Sequence, residues 1–166
     1  RYYYEQNTYF LNSRQYDSYP RTRHTKVYLG EYAAKDKKLI DALAEGLYLL
    51  HVERNGDIVC MTSYAPLFAR KGATNWNPDL IYFDNERPFL TCSYYIQQLI
   101  GQSAGQYYYG DCVKFTEGTE KTEGTERVGQ SVVLNVKTRH LFVKLCNASA
   151  EARKANLDLS RFGSIK

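Results

Sequence analysis

The spacing of apolar residues changes character along this chain, and each change predicts a different kind of element. Val27-Tyr28-Leu29 is a short apolar run between Lys26 and Gly30, which reads as a strand closed by Glu31. Leu39, Leu43, Leu47 and Leu50 then recur near helical spacing, while Ile40, Ala44 and Val52 widen the apolar face. That spacing predicts a helix from about Lys38 to Arg54, with Asp36 as its N-cap and Asn55-Gly56 as its stop. A helix this apolar must be covered on most sides. Ile58-Val59-Cys60-Met61-Thr62-Ser63-Tyr64 shows no alternation until Thr62, as expected of a strand buried on both faces. Strand, long helix, strand, with a polar residue closing each strand, is the pattern of a parallel βαβ unit.

The flanking segments are less regular. Tyr9, Phe10, Tyr16 and Tyr19 form a weak helical stripe over about residues 6–19, which Pro20 ends. After Phe68 the sequence predicts a loop through Gly72 and Trp76-Asn77-Pro78-Asp79, an extended run at 80–83 and a turn at Asp84-Asn85. Ser93 is the expected cap of a helix reaching Ile100, with Gly101 stopping it. Beyond Gly105 the helical periodicity disappears. Tyr107–Tyr109, Cys112–Phe115, Val128–Val136, Leu141–Leu145 and Leu157–Leu159 predict short strands between turns, the texture of an antiparallel β-sandwich. Thr116-Glu117-Gly118-Thr119-Glu120-Lys121 is nearly duplicated by Thr122-Glu123-Gly124-Thr125-Glu126-Arg127. Alternating charge with Gly and Thr buries little, so an exposed hairpin extension is expected there.

Composition narrows the class without naming a chemistry. With 43% hydrophobic and 24% charged residues in 166, the chain suits one globular domain or two small pieces. Sixteen tyrosines offer ring faces and hydroxyls that suit sugar or base stacking as well as core edges. The net charge of +4 permits an anionic partner, but the cations are scattered apart from Arg21-Thr22-Arg23-His24 and Lys35–Lys38. A nucleic-acid binder needs Lys and Arg interleaved with rings on one face, arguable only over residues 1–26, and that reading is discounted. Cys60, Cys92, Cys112 and Cys146 lack metal-ligand spacing, so no metal or other cofactor is expected. Their spacing leaves disulfides open, and Cys60 within its apolar run reads as a free buried thiol. No apolar run approaches the ~20 residues needed to span a bilayer. The abrupt opening Arg1-Tyr2-Tyr3-Tyr4 predicts a piece of a longer polypeptide.

Several motifs, taken in order, resemble one family. They are Val27-Tyr28-Leu29-Gly30-Glu31-Tyr32-Ala33, Ala42-Leu43-Ala44-Glu45-Gly46 and Glu53-Arg54-Asn55-Gly56-Asp57-Ile58-Val59. Met61-Thr62-Ser63-Tyr64-Ala65-Pro66-Leu67-Phe68-Ala69, Trp76-Asn77-Pro78-Asp79-Leu80-Ile81 and Ser93-Tyr94-Tyr95-Ile96-Gln97 follow. This order over residues 26–100 resembles glycoside hydrolase family 51, the α-L-arabinofuranosidases, in its plant and Bacteroidetes branch. The resemblance implies an α/β part followed by an all-β part. Residues 1–103 would be the last strands and helices of a (β/α)8 barrel, and residues 104–166 part of the C-terminal β-sandwich.

The resemblance also implies roles. The family's retaining nucleophile falls on Glu31, while the general acid/base is a Glu after an earlier strand that this chain does not contain. Glu5, Glu45 and Glu53 do not occupy that position. A His-x-Tyr segment of the family aligns with Arg1-Tyr2-Tyr3, so Tyr3 matches the Tyr and Arg1 departs from the His. Tyr32, Tyr64, Trp76 and Asn85 are the further candidates for contact with the sugar. The implied substrate is an arabinose-containing polysaccharide or oligosaccharide, acted on outside the cell or in the periplasm, with no membrane or nucleic-acid partner. The isolated chain is expected to be inactive. It is also expected to self-associate through open strand edges and an uncovered apolar helix. A non-catalytic carbohydrate-binding or structural β-sandwich is the competing reading, carried by the second half and its Tyr clusters.

Overall fold

The computed structural model describes residues 2–22, 24–77, 79–116 and 126–163, with the side chains of residues 2–4 left out. Its first layer is a parallel sheet of β1 (Tyr2–Tyr4), β2 (Val27–Ala34) and β3 (Val59–Tyr64) in that spatial order. The helix α2 (Leu39–Arg54) makes the crossover between β2 and β3. The predicted βαβ unit is thus present, and β2 runs further than its apolar run suggested. Tyr2, Tyr3 and Tyr4 pair with Tyr32, Ala33 and Ala34, so backbone partners from the start of the chain carry the strand three residues past Glu31.

Capping differs from expectation as well. The N-cap of α2 is Lys38 rather than Asp36, and the Lys38 N–H donates to Asp41 Oδ2 at 2.9 Å. A carboxylate one turn into the helix satisfies the orphan donor that Asp36 was expected to serve. The Asn55 stop is observed, with the Asn55 N–H donating to His51 O at 3.2 Å. The first helix, α1 (Gln6–Leu11), is shorter than its stripe. Asn12 ends it, donating from its side chain to Thr8 O at 2.9 Å, and turns carry the chain to Tyr19.

Between β3 and the next helix lies a mixed sheet that the sequence reading did not foresee beyond its middle strand. It comprises β4 (Phe68–Arg70), β5 (Ile81–Phe83) and β6 (Pro88–Leu90), with β4 and β5 parallel. The Asp84 turn is as expected, with Asp84 Oδ1 accepting from the N–H groups of Glu86 and Arg87 at 2.9 and 3.0 Å. Helix α3 (Cys92–Gln102) starts two residues early, because its cap is Thr91 rather than Ser93, with Thr91 Oγ1 accepting the Tyr94 N–H at 3.2 Å. Gly101 lies inside it.

The second half is β-rich. The long hairpin of β9 (Val128–Asn135) and β10 (His140–Asn147) is extended by β7 (Tyr107–Tyr108), and β8 (Val113–Phe115) pairs with β11 (Ala155–Leu157). Most of the duplicated Thr-Glu-Gly segment, residues 117–125, lies outside the described residues. Among the described residues no helix is long and apolar enough to cross a membrane. All four cysteines are free, and Cys60 is exposed rather than buried.

The α2 helix was expected to have an uncovered face, and the second half covers it. Eleven of its residues are buried, from Asp41 through Val52 with Leu43 excepted. The parallel sheet lies on one side; α1, α3 and the β9–β10 hairpin take up the others. Lys144 of β10 donates to Glu53 Oε1 at 2.6 Å and to Ser103 O at 2.8 Å, and Ser131 Oγ donates to Glu53 Oε2. His51 is 3% exposed with its Nε2 3.5 Å from Glu126 Oε2. Burial pushes its pKa down to about 4 against the attraction of Glu126, so the ring is neutral at neutral pH.

Where β9 packs on α2, a Cβ on Gly129 would lie 2.3 Å from Leu47 Cδ1, and Leu47 is fully buried. Gly129→Val is therefore expected to cost about 1–3 kcal/mol by overpacking. Urea unfolding should show the double variant Gly129→Val/Leu47→Ala losing less stability than the two single losses added together. Strict additivity would mean that the contact does not set the approach.

Candidate active site at the end of the parallel sheet

Leu29 of β2 pairs with Thr62 of β3, and Tyr32 with Tyr64. Three steps on β2 therefore match two on β3, which leaves one extra residue within Gly30-Glu31. A bulge of this kind breaks the alternation of faces and re-aims a side chain. Glu31 sits on it, half-buried, whereas Tyr32, Ala33 and Ala34 are 1%, 0% and 1% exposed. Three consecutive buried positions mean that the strand end is enclosed on both faces. The result is a partly accessible carboxylate in the C-terminal half of the central strand, where parallel α/β folds present functional side chains.

The tyrosines expected around it divide by role. Tyr64 ends β3 directly across from Tyr32, their rings edge to face at 5.4 Å. The Tyr32 hydroxyl donates to Gln97 Oε1 on α3 at 2.5 Å, and the Tyr64 hydroxyl donates to Glu45 Oε1 on α2 at 3.3 Å. Tyr3 is on β1, in register with Ala33; its side chain lies outside the described residues. Trp76 is 54% exposed on the loop between β4 and β5, its N–H donating to Thr74 Oγ1 at 3.1 Å. Asn85 is exposed at the β5–β6 turn and accepts from Arg70 at 3.1 Å. Lys37, just past β2, donates to the Tyr82 hydroxyl at 2.5 Å and also lies 4.5 Å from the Tyr82 ring centre. That contact holds the small β4–β6 sheet, with Trp76 and Asn85 on its connections, to the end of β2 that carries Glu31.

Glu45 is the residue that sequence reasoning passed over. It is 0% exposed, and its Oε1 accepts the Ala34 N–H at 2.7 Å as well as the Tyr64 hydroxyl. Burial pushes its carboxyl up to about 7, against the pull of the Ala34 N–H, Ser93 and Tyr64. Tyr9, Tyr32 and Tyr64 are all pushed above the usual phenol range, first by burial and then by proximity to Glu45. The signal was present as one charged residue in the otherwise apolar Ala42-Leu43-Ala44-Glu45-Gly46-Leu47. Among the described residues no group of three or more His, Cys, Asp or Glu side chains is placed to hold a metal ion.

The sign of the pH effect follows from the raised pKa. Between an ordinary 4.5 and about 7 the folded chain holds a proton that the unfolded chain releases, so stability falls as pH rises through that window and is level above it. The loss is at most about 3 kcal/mol. Glu45→Gln removes the proton exchange. Its stability relative to wild type should therefore rise between pH 5 and pH 8 in urea titrations, and an unchanged difference would refute this origin.

Comparison with known proteins follows the same outline. A family model for the α-L-arabinofuranosidase C-terminal domain matches residues 16–166. An extracellular exo-α-L-arabinofuranosidase of Streptomyces chartreusis is 38% identical over 104 residues, covering 63% of this chain and 12% of that protein. α-L-Arabinofuranosidase 2 of Arabidopsis thaliana is 40% identical over 101 residues, covering 58% of this chain and 15% of that protein. Among solved structures, the arabinose-bound α-L-arabinofuranosidase MgGH51 matches with a TM-score of 0.77 at 25% identity, over 90% of this chain and 25% of that one. The chain thus spans only a small part of the length of the relatives it matches.

Proposed function

The chain belongs to the α-L-arabinofuranosidase family, in the region of its C-terminal domain, and from that premise we propose that it is the C-terminal part of a retaining α-L-arabinofuranosidase with Glu31 as nucleophile. In this reading residues 1–103 complete a (β/α)8 barrel and residues 104–166 belong to the β-sandwich. The substrate is a terminal non-reducing α-L-arabinofuranosyl residue of an arabinose-containing polysaccharide or oligosaccharide. Work outside the cytoplasm is in keeping with the extracellular Streptomyces relative.

The observation that carries the reading is the carboxylate of Glu31 on a bulge of the central parallel strand, with Tyr32 and Tyr64 paired beside it. In the proposed reaction Glu31 attacks the anomeric carbon and forms a glycosyl ester. The glycosidic C–O bond breaks, and its oxygen leaves with a proton from a general acid elsewhere in the complete enzyme. That group then takes a proton from water, which hydrolyses the ester and frees Glu31. Retaining glycosidases hold such carboxyl pairs about 5–5.5 Å apart. The isolated chain lacks that second group and is inactive in this reading. Tyr3, Trp76 and Asn85 are the proposed sugar contacts, with Tyr32 and Tyr64 shaping the pocket floor.

In the natural full-length protein, Glu31→Ala should lower turnover of an aryl α-L-arabinofuranoside by about 10⁴-fold or more while the circular dichroism spectrum is kept. Azide, a small external nucleophile, should restore part of the lost rate. Unchanged turnover in a folded variant refutes the assignment. The isolated chain is expected to associate, because β1 and β3 are open edges and a groove of about 560 Å³ between α2, α3 and β10 is lined by Leu43, Leu50, Ile96, Leu99 and Leu145. A clean monomer at high concentration in analytical ultracentrifugation would count against it.

A further inference from the structure

A carboxyl group buried within an apolar stretch of a helix costs several kcal/mol unless its oxygens are hydrogen-bonded. Glu45 is such a group, and its two donors come from the same place in the fold. Ala34 is the last residue of β2 and Tyr64 the last of β3, and both donate to Oε1. The β2–β3 ladder ends at the Tyr32–Tyr64 pair, so on that side the Ala34 N–H has passed the end of the sheet and α2 supplies its acceptor. A single oxygen therefore ties the final residues of two neighbouring strands to one helix. The bulge carrying Glu31 lies between that tie and the regular pairing at Leu29 and Thr62.

We propose that Glu45 is a positioning residue, which clamps the ends of β2 and β3 to α2 and so sets the direction in which Glu31 faces the sugar. This rests on the reading of Glu31 as nucleophile. A bulged strand has lost part of its ladder and is free to pivot about the extra residue; an acceptor three residues further on removes that freedom. The other oxygen, Oε2, is buried with no hydrogen-bond partner among the described residues, which is where the proton of a neutral carboxyl would sit at lowest cost. The groups that bear on this carboxyl are Tyr9 of α1, Tyr32 of β2, Tyr64 of β3 and Asp41 one turn earlier on α2, with Ser93 of α3 beside it. Among the described residues these groups include no cation; the donors from Ala34, Ser93 and Tyr64 favour the ionised form, and burial outweighs them. Glutamine can serve as acceptor in the same place.

The test uses the natural full-length protein and an aryl α-L-arabinofuranoside. Glu45→Met keeps the volume and removes the acceptor; it should lower kcat by about 30- to 100-fold, the scale of a misplacement near 1 Å, with KM within about twofold. Glu45→Gln should keep kcat within about threefold of wild type. A folded Glu45→Met variant with wild-type kcat, or equal losses in both variants, overturns the proposal. Should Glu45→Met not fold, selective 15N-alanine labelling of wild type decides. The Ala34 amide should be protected from exchange and should shift with pH between 5 and 9, a shift that Glu45→Gln abolishes. A fast-exchanging Ala34 amide, or one whose resonance Glu45→Gln leaves unmoved at every pH, overturns it. The two readings fail separately. An active Glu31→Ala variant sinks the nucleophile and leaves the Ala34 result standing. An inactive Glu31→Ala beside a fully active Glu45→Met sinks only the clamp.

Discussion

Helix α2 has almost no face to spare for solvent, and the rest of the chain is arranged around that constraint. Its apolar residues surround it rather than forming a stripe, so a single sheet cannot bury them. The parallel sheet takes one side. The β9–β10 hairpin takes another, at a distance where a Cβ on Gly129 would lie 2.3 Å from Leu47 Cδ1. Polar groups pin the same contact at its C-terminal end, where Glu53 accepts from Ser131 and Lys144. The two halves of the chain, different in texture, therefore share one core helix.

That sharing bears on the candidate site. Glu31 is on the strand that enters α2, and Tyr64 is at the end of the strand that leaves it. A helix held on several sides transmits its position to both strand ends through Glu45, the one buried carboxyl on its sheet-facing side with both strands bonded to it. The hairpin packs against α2, and α2 in turn holds the ends of β2 and β3. The α3 helix adds a second hold through Gln97 and Tyr32.

Where the sequence and the structure agree, the signal was long and periodic. The α2 and β3 boundaries lie within a residue or so of expectation because sixteen and six residues respectively repeat one pattern. Two short elements, β4 and β6 of three residues each, were missed, whereas β5, β7 and β8 fall in runs that were expected to be extended. Caps went astray. Lys38 stands at the N-cap expected of Asp36, with Asp41 accepting its N–H, and Thr91 at the cap expected of Ser93. Cys60 was expected inside and is exposed. An apolar run does not say which of its faces is covered.

The amino-acid order alone determined the βαβ unit, the change to β-rich texture after Gly105 and the family motifs that single out Glu31. Those features are local, written in the spacing of residues close in the chain. Tertiary structure decided the rest. The bulge at Gly30-Glu31 exists only in the register between β2 and β3, the extension of β2 only in its pairing with Tyr2–Tyr4, and the significance of Glu45 only in the meeting of two strand ends. Each depends on groups distant in sequence reaching the same hydrogen-bonding distance, and one-dimensional spacing carries no record of that.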